Sequence, residues 1–152
     1  MRLTKTAGFI AGISAAAVAD YRPKTASAQK LKKHDAELII ELERTEDIVS
    51  AVTGSSPRPF VVGFAAETEN IETNARTKLK NKSLDMIAAN RVGKDANARD
   101  IGFNSEYNAL HVIWTDGEQV LEQARKTALA RVLINLVAHQ YHKNRQHEKN
   151  TA

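Results

Sequence analysis

Phe60 to Ala66 reads FVVGFAA, an apolar run with no polar break. A strand with one wet face alternates apolar and polar residues. An unbroken run of this length belongs to a strand buried on both faces, as in a parallel sheet covered by helices. The chain repeats the pattern in LDMIAA (Leu84–Ala89) and NALHVIWT (Asn108–Thr115), and ELIIELE (Glu37–Glu43) reads as a further strand. Helical stretches fall between these runs. Thr45-Glu46-Asp47 opens a short helix over Ile48–Val52, with Thr45 as its cap and two acids at its positive end. Gly54-Ser55-Ser56-Pro57 closes it. Glu67–Ser83 carries Ile71, Ala75 and Leu79 at helical spacing. Asn90–Tyr107 reads as a long polar loop, Asp116-Gly117 as a turn, and Gln119–His142 as a long helix with Leu129, Leu133, Leu136, Val137, Gln140 and Tyr141 turned inward. Lys143–Ala152 reads as a polar tail. Strands alternating with helices in this order predict an α/β layer fold with a mostly parallel sheet.

The start of the chain admits two readings. Arg2 and Lys5 precede the apolar run GFIAGISAAAVA (Gly8–Ala19), and Ala17-Val18-Ala19 before Asp20 has the form of a secretory cleavage site. The same run suits the first strand of the sheet, and it is shorter than the roughly 20 residues a membrane span needs.

Composition narrows the chemistry. The 152 residues contain no cysteine, which excludes disulfides, thiolate metal sites and cysteine nucleophiles. A net charge of +4 with few aromatics does not point to nucleic acid. Neither a G-x-G-x-x-G nor a P-loop is present, nor H-E-x-x-H. His139 and His142 lie one turn apart at a helix end, where contact with the helix dipole is the favoured reading over metal.

The lysines and strand-end acids are the remaining candidates. Lys78 and Lys82 share a helix side that Lys80 does not, and could straddle a triphosphate; spacing alone favours a solvated helix end instead. Asp20 and Glu67 follow small-apolar strands, where ligands of α/β sheets bind, and could carry hydrated Mg²⁺ or simply bond to nearby loops. Phe64 is either core or a wall for a nucleobase.

Five segments in order carry a resemblance: AAAVADYRPK (15–24), KLKK (30–33), RPFVVGFAAETEN (58–70), ARTKLKNKSLDMIAANRV (75–92) and GFNSEYNALHVIW (102–114). Together they resemble phosphopantothenate–cysteine ligase, the synthetase half of the bacterial bifunctional coenzyme A biosynthesis flavoprotein. The resemblance implies a Rossmann-like three-layer α/β fold with a mostly parallel sheet, over 14–143, between a non-matching segment 1–13 and the tail 144–152. It implies that AVADYRPK is a strand and active-site turn rather than a cleavage site. The implied reaction joins 4′-phosphopantothenate to L-cysteine using CTP and Mg²⁺, through an acyl-cytidylate, in a cytoplasmic homodimer without nucleic-acid or membrane partners.

Carried over by position, the resemblance implies nucleotide contacts for Ser14, Ala15 and Ala16 at the first strand end, and for Asp20, which would also face the metal. Lys30 opens the KxKK motif and is the implied catalytic lysine. Glu46, Asp47, Ile48 and Val49 match an N-P-D-I-V-type turn, with Thr45-Glu46 in place of Asn-Pro; Phe64 matches the aromatic beside the nucleotide. Lys78 and Lys82 match the pair that holds the triphosphate. The family's first strand–helix segments and its N-S-S-G-x-M-G-type segment have no counterpart, so the match covers about the last two-thirds of the ligase domain. That implies nucleotide binding with little ligase activity from this chain alone. The alternative is a non-catalytic dimerisation or regulatory module of the same enzyme.

Overall fold

The computed structural model describes residues 11–14, 19–26, 39–91, 93–94, 100–101 and 105–151. The described elements are β1 (Ala11–Ser14), β2 (Tyr21–Pro23), β3 (Leu42–Arg44), α1 (Ile48–Thr53), β4 (Phe60–Glu67), α2 (Ile71–Asn81), β5 (Met86–Arg91), β6 (Gly93–Lys94), β7 (Asp100–Ile101), β8 (Tyr107–Trp114), β9 (Gly117–Arg125) and α3 (Lys126–Thr151). A five-stranded sheet in the order β1-β4-β5-β8-β9 forms the middle layer. β1, β4 and β5 pair in parallel, and β8 runs antiparallel between β5 and β9. Four of its strands therefore share one direction and only β8 opposes them.

The apolar runs become the central strands because both faces of the sheet are covered. On one face Phe60, Val62, Met86, Ala88, Leu110 and Val112 meet Leu129, Leu133 and Val137 of α3. The edge of the Tyr141 ring meets Phe60, with centroids 5.8 Å apart. On the other face Val61, Ala65, Ile87, Ala89 and Ile113 pack with Ala75 of α2, joined by Val49, Val52, Ile71 and Leu79 from α1 and α2. The alternation of side chains along each strand divides one apolar run between two cores. The result is the expected three-layer α/β fold.

Several element boundaries differ from the sequence expectation. Gln119 does not begin a helix: residues 117–125 form β9, and the helix starts at Lys126. Its residues are good helix formers, but the hairpin pairing from Trp114↔Gly117 to Tyr107↔Arg125 decides the outcome. Close approach at this turn also requires glycine, because a Cβ on Gly117 would lie 2.9 Å from the Trp114 ring. The polar tail is instead helical as far as Thr151. Among the described residues 39–43 of ELIIELE, only Leu42 and Glu43 lie in a strand, β3, which pairs antiparallel with β2 outside the main sheet. Glu67 closes β4 rather than opening α2, whose first residue is Ile71. β5 starts at Met86, two residues later than Leu84. Within the expected loop after Asn90, β6 and β7 pair antiparallel.

Candidate functional site

The parallel strands bring their carboxyl ends to one edge of the sheet, with Ser14 opposite Gly63 and Glu67 opposite Arg91. This is the edge at which open α/β sheets bind ligands. Ala15, Ala16 and Lys30 lie outside the described residues, and Ser14 is described only as the last residue of β1.

Asp20 follows as an exposed residue in a bend. It is tied to a distant part of the sequence. The Thr45 amide donates to the Asp20 carbonyl at 2.9 Å, and the Thr45 hydroxyl donates to the Ala19 carbonyl. The β2–β3 ribbon supports this junction, with Arg22 Nε 2.7 Å from Glu43 Oε1. Two segments expected to meet a nucleotide, Asp20 and Glu46–Val49, are thus neighbours through the backbone.

Thr45 consequently does not cap α1. Asp47 does, its Oδ1 accepting from the Ser50 amide at 3.1 Å. Its Oδ2 lies 3.0 Å from Lys82 Nζ. Partial burial pushes the Asp47 carboxyl up, but the Ser50 amide and the Lys82 ammonium outweigh it and hold the group below the ordinary aspartate range. Val49 turns into the core between α1 and α2, while Glu46 and Ile48 stay exposed. Any ligand contact from Val49 would therefore come from its backbone.

Lys78 and Lys82 lie on the same side of α2 and each meets a carboxylate from another element. Lys78 Nζ is 2.6 Å from Glu67 Oε1, and Lys82 reaches Asp47. The pairs tie α2 and its C-cap Lys82 to the end of β4 and the start of α1. Lys80 is exposed.

Glu67 makes the strand-end side-chain bonds that the sequence left open beside a metal role. Its oxygens accept from Lys78 and, at 3.1 Å, from the Asn74 side-chain amide. Asn74 gave no signal in the sequence, because only the turn between β4 and α2 brings it back to the strand end. Phe64 is 37% exposed, so it is not a core residue. By strand alternation it lies on the sheet face opposite Glu67 and the lysines. A ligand meeting both would have to cross the strand edge. Among the described residues no three His, Asp or Glu side chains converge on a metal position. Asp20 alone makes no protein cage for Mg²⁺, which favours six oxygen ligands.

Residues 3–141 match the family model of the DNA/pantothenate metabolism flavoprotein C-terminal domain. The chain is 47% identical over 131 residues to the coenzyme A biosynthesis bifunctional protein CoaBC of Vibrio cholerae, covering 84% of this chain and 32% of that protein. It is 45% identical over 139 residues to the protein of the same name from Escherichia coli K12, covering 88% of this chain and 33% of that one. The chain thus spans about a third of the length of these curated relatives. The crystal structure of the C-terminal domain of a CoaBC protein superposes with a TM-score of 0.60 at 31% identity, covering 84% of this chain and 53% of that one. A DNA/pantothenate metabolism flavoprotein from Streptococcus pneumoniae shares the fold at a TM-score of 0.61 and 20% identity, over 86% and 63% of the two chains. From the ordered segments, the three-layer fold and the matched length, this chain belongs to the family of DNA/pantothenate metabolism flavoprotein C-terminal domains.

Proposed function

We propose that this chain carries the nucleotide-binding part of a CTP-dependent phosphopantothenate–cysteine ligase of coenzyme A biosynthesis. The observation that carries the reading is the placement of Lys78 beside Glu67 and of Lys82 beside Asp47, two residues from the Thr45 junction that holds Asp20. Membership of the family and the names of its relatives support it.

In this reading the substrate carboxylate attacks the α-phosphorus of CTP, the bond to pyrophosphate breaks, and an acyl-cytidylate forms. The amine of L-cysteine then attacks the acyl carbon, and CMP leaves. A carboxylate approaching a polyphosphate needs its charge neutralised, and positioned cations stabilise the leaving pyrophosphate. Lys78 and Lys82 supply such charge to the triphosphate, and Lys30 supplies it at the reacting phosphate. Ser14, Ala15, Ala16 and the Glu46–Val49 turn contact the nucleotide, with Phe64 beside it. Asp20 would be the carboxylate facing Mg²⁺, which would supply counter-charge to the phosphates. The working form is a cytoplasmic homodimer built on the domain 14–143. Among the described residues no helix is long and apolar enough to cross a membrane.

The two-lysine site is tested by isothermal titration. Replacing both Lys78 and Lys82 with Ala is expected to weaken CTP binding by about ten- to a hundredfold, the worth of one or two charge-assisted bonds, and CMP binding far less. Equal weakening of both nucleotides points back to a solvated helix end.

A further inference from the structure

Glu67 places a carboxylate in a part of the molecule where an unbonded one would be costly: its side chain is only 10% exposed. Both oxygens are engaged. Oε1 meets the Lys78 ammonium at 2.6 Å, and Oε2 accepts from the Asn74 amide at 3.1 Å. That amide also donates to the Glu69 carbonyl, again at 3.1 Å. Strand β4 and the first turn of α2 therefore fix Glu67 from two sides. Lys78 is the adaptable member of the group, with a side chain 47% exposed.

The placement matters because of the direction of α2. The helix starts just after the carboxyl end of β4 and packs back along β5 and β4. Lys78 comes seven residues after Ile71, about 10 Å along the axis. An unrestrained lysine there has a flexible stem and samples the solvent flank of the helix. The bond to Glu67 draws the ammonium back toward the strand end, the edge at which ligands of such sheets bind. It uses one of three N–H donors and leaves two for phosphate oxygens. The Lys82 pair is not built this way, since the Asp47 side chain is 43% exposed and the pair stands in solvent.

We propose that Glu67, anchored by Asn74, is a positioning residue that holds the Lys78 ammonium at the carboxyl edge of the sheet for the triphosphate of the nucleotide. It acts through Lys78 and does not itself touch the nucleotide. This rests on the triphosphate reading given above. It also runs against simple charge bookkeeping, by which removing a carboxylate near a polyanion site tightens binding.

The test uses the full chain and Glu67→Gln, which keeps the side-chain size and removes the charge. Two quantities are measured: the acetylation rate of Lys78 relative to Lys80 by peptide mass spectrometry, and the Kd values of Mg–CTP and CMP by titration. The expected result is a Lys78 acetylation rate raised about threefold or more, with CTP binding weakened about five- to tenfold and CMP binding changed by less than about twofold. Unchanged Lys78 reactivity overturns the clamp. Tighter CTP binding, or equal weakening of CTP and CMP, overturns the positioning role while leaving the triphosphate reading intact. Absence of CTP binding by the unaltered, folded chain overturns that reading and the positioning role with it. If Glu67→Gln does not fold, Asn74→Ala removes the second anchor and is expected to shift both quantities in the same direction by less.

Discussion

Asp47 shows how much one residue can join. It caps α1 through the Ser50 amide and reaches Lys82 on α2, and both bonds favour its charged form. A carboxyl held below its unfolded value contributes stability above that value and loses it as pH falls through the lower folded value. Asp47→Asn retains an acceptor for the cap but removes the charge that Lys82 meets. Thermal unfolding is therefore expected to show a gap of within about 1 kcal/mol between the two proteins at pH 7, which closes as pH drops below about 4. A gap that persists into acid contradicts this origin. Lys30 belongs to the same scale. In an intact ligase, Lys30→Ala is expected to leave the unfolding temperature unchanged and to lower kcat for acyl-cytidylate formation by at least about a hundredfold. Unaltered turnover removes it from the reacting centre. The sequence made the two lysines legible through their four-residue spacing. It could not display Asn74 as a partner of Glu67, because that contact depends on where the β4–α2 turn sends the chain.

At the scale of elements, the readable segments are those whose pattern and tertiary role agree. FVVGFAA is a strand in both sequence and structure, buried at Phe60–Gly63 and Ala65 because each face there has a core to enter, while Phe64 and Ala66 are exposed. The inward stripe of α3 was legible for the same reason, with Leu129, Leu133, Val137 and Gln140 all buried. β9 was not legible. It is paired with β8 alone, and most of its residues are exposed, so it lacks the apolar signal of an inner strand. Its Glu and Gln residues look helical until the hairpin with β8 is known. Glu67 was misassigned because it is a polar residue that nevertheless completes a buried strand; its bonds to Lys78 and Asn74 make that position tolerable. The strand core itself can be tested at Met86, which is fully buried in β5 against the α3 face. Met86→Ala is expected to cost about 2–5 kcal/mol in chemical denaturation, the range for emptying a packed core site. A loss well under that range means the two faces of the sheet are not packed as described.

At the scale of the whole molecule, the sheet does two things. It divides a small chain into two helix-covered cores, and it collects its parallel strand ends along one edge. The layer architecture was legible because strand–helix alternation leaves few alternatives once the strands are apolar throughout. The candidate site was only partly legible. Motif order pointed to Asp20, the Glu46–Val49 turn and the lysines, but not to the Thr45 bonds that bring the first two together. Nor did it show that Phe64 faces away from the lysines across the sheet. Those relations arise from register and from side-chain direction, which one sequence does not state. The claim that these parts form a nucleotide site is tested most directly by isothermal titration of the purified, folded chain with CTP in excess Mg²⁺. The account predicts saturable binding at one site per chain that is weaker for CMP. No heat of binding at millimolar CTP, from a chain shown to be folded by its cooperative unfolding, would contradict it.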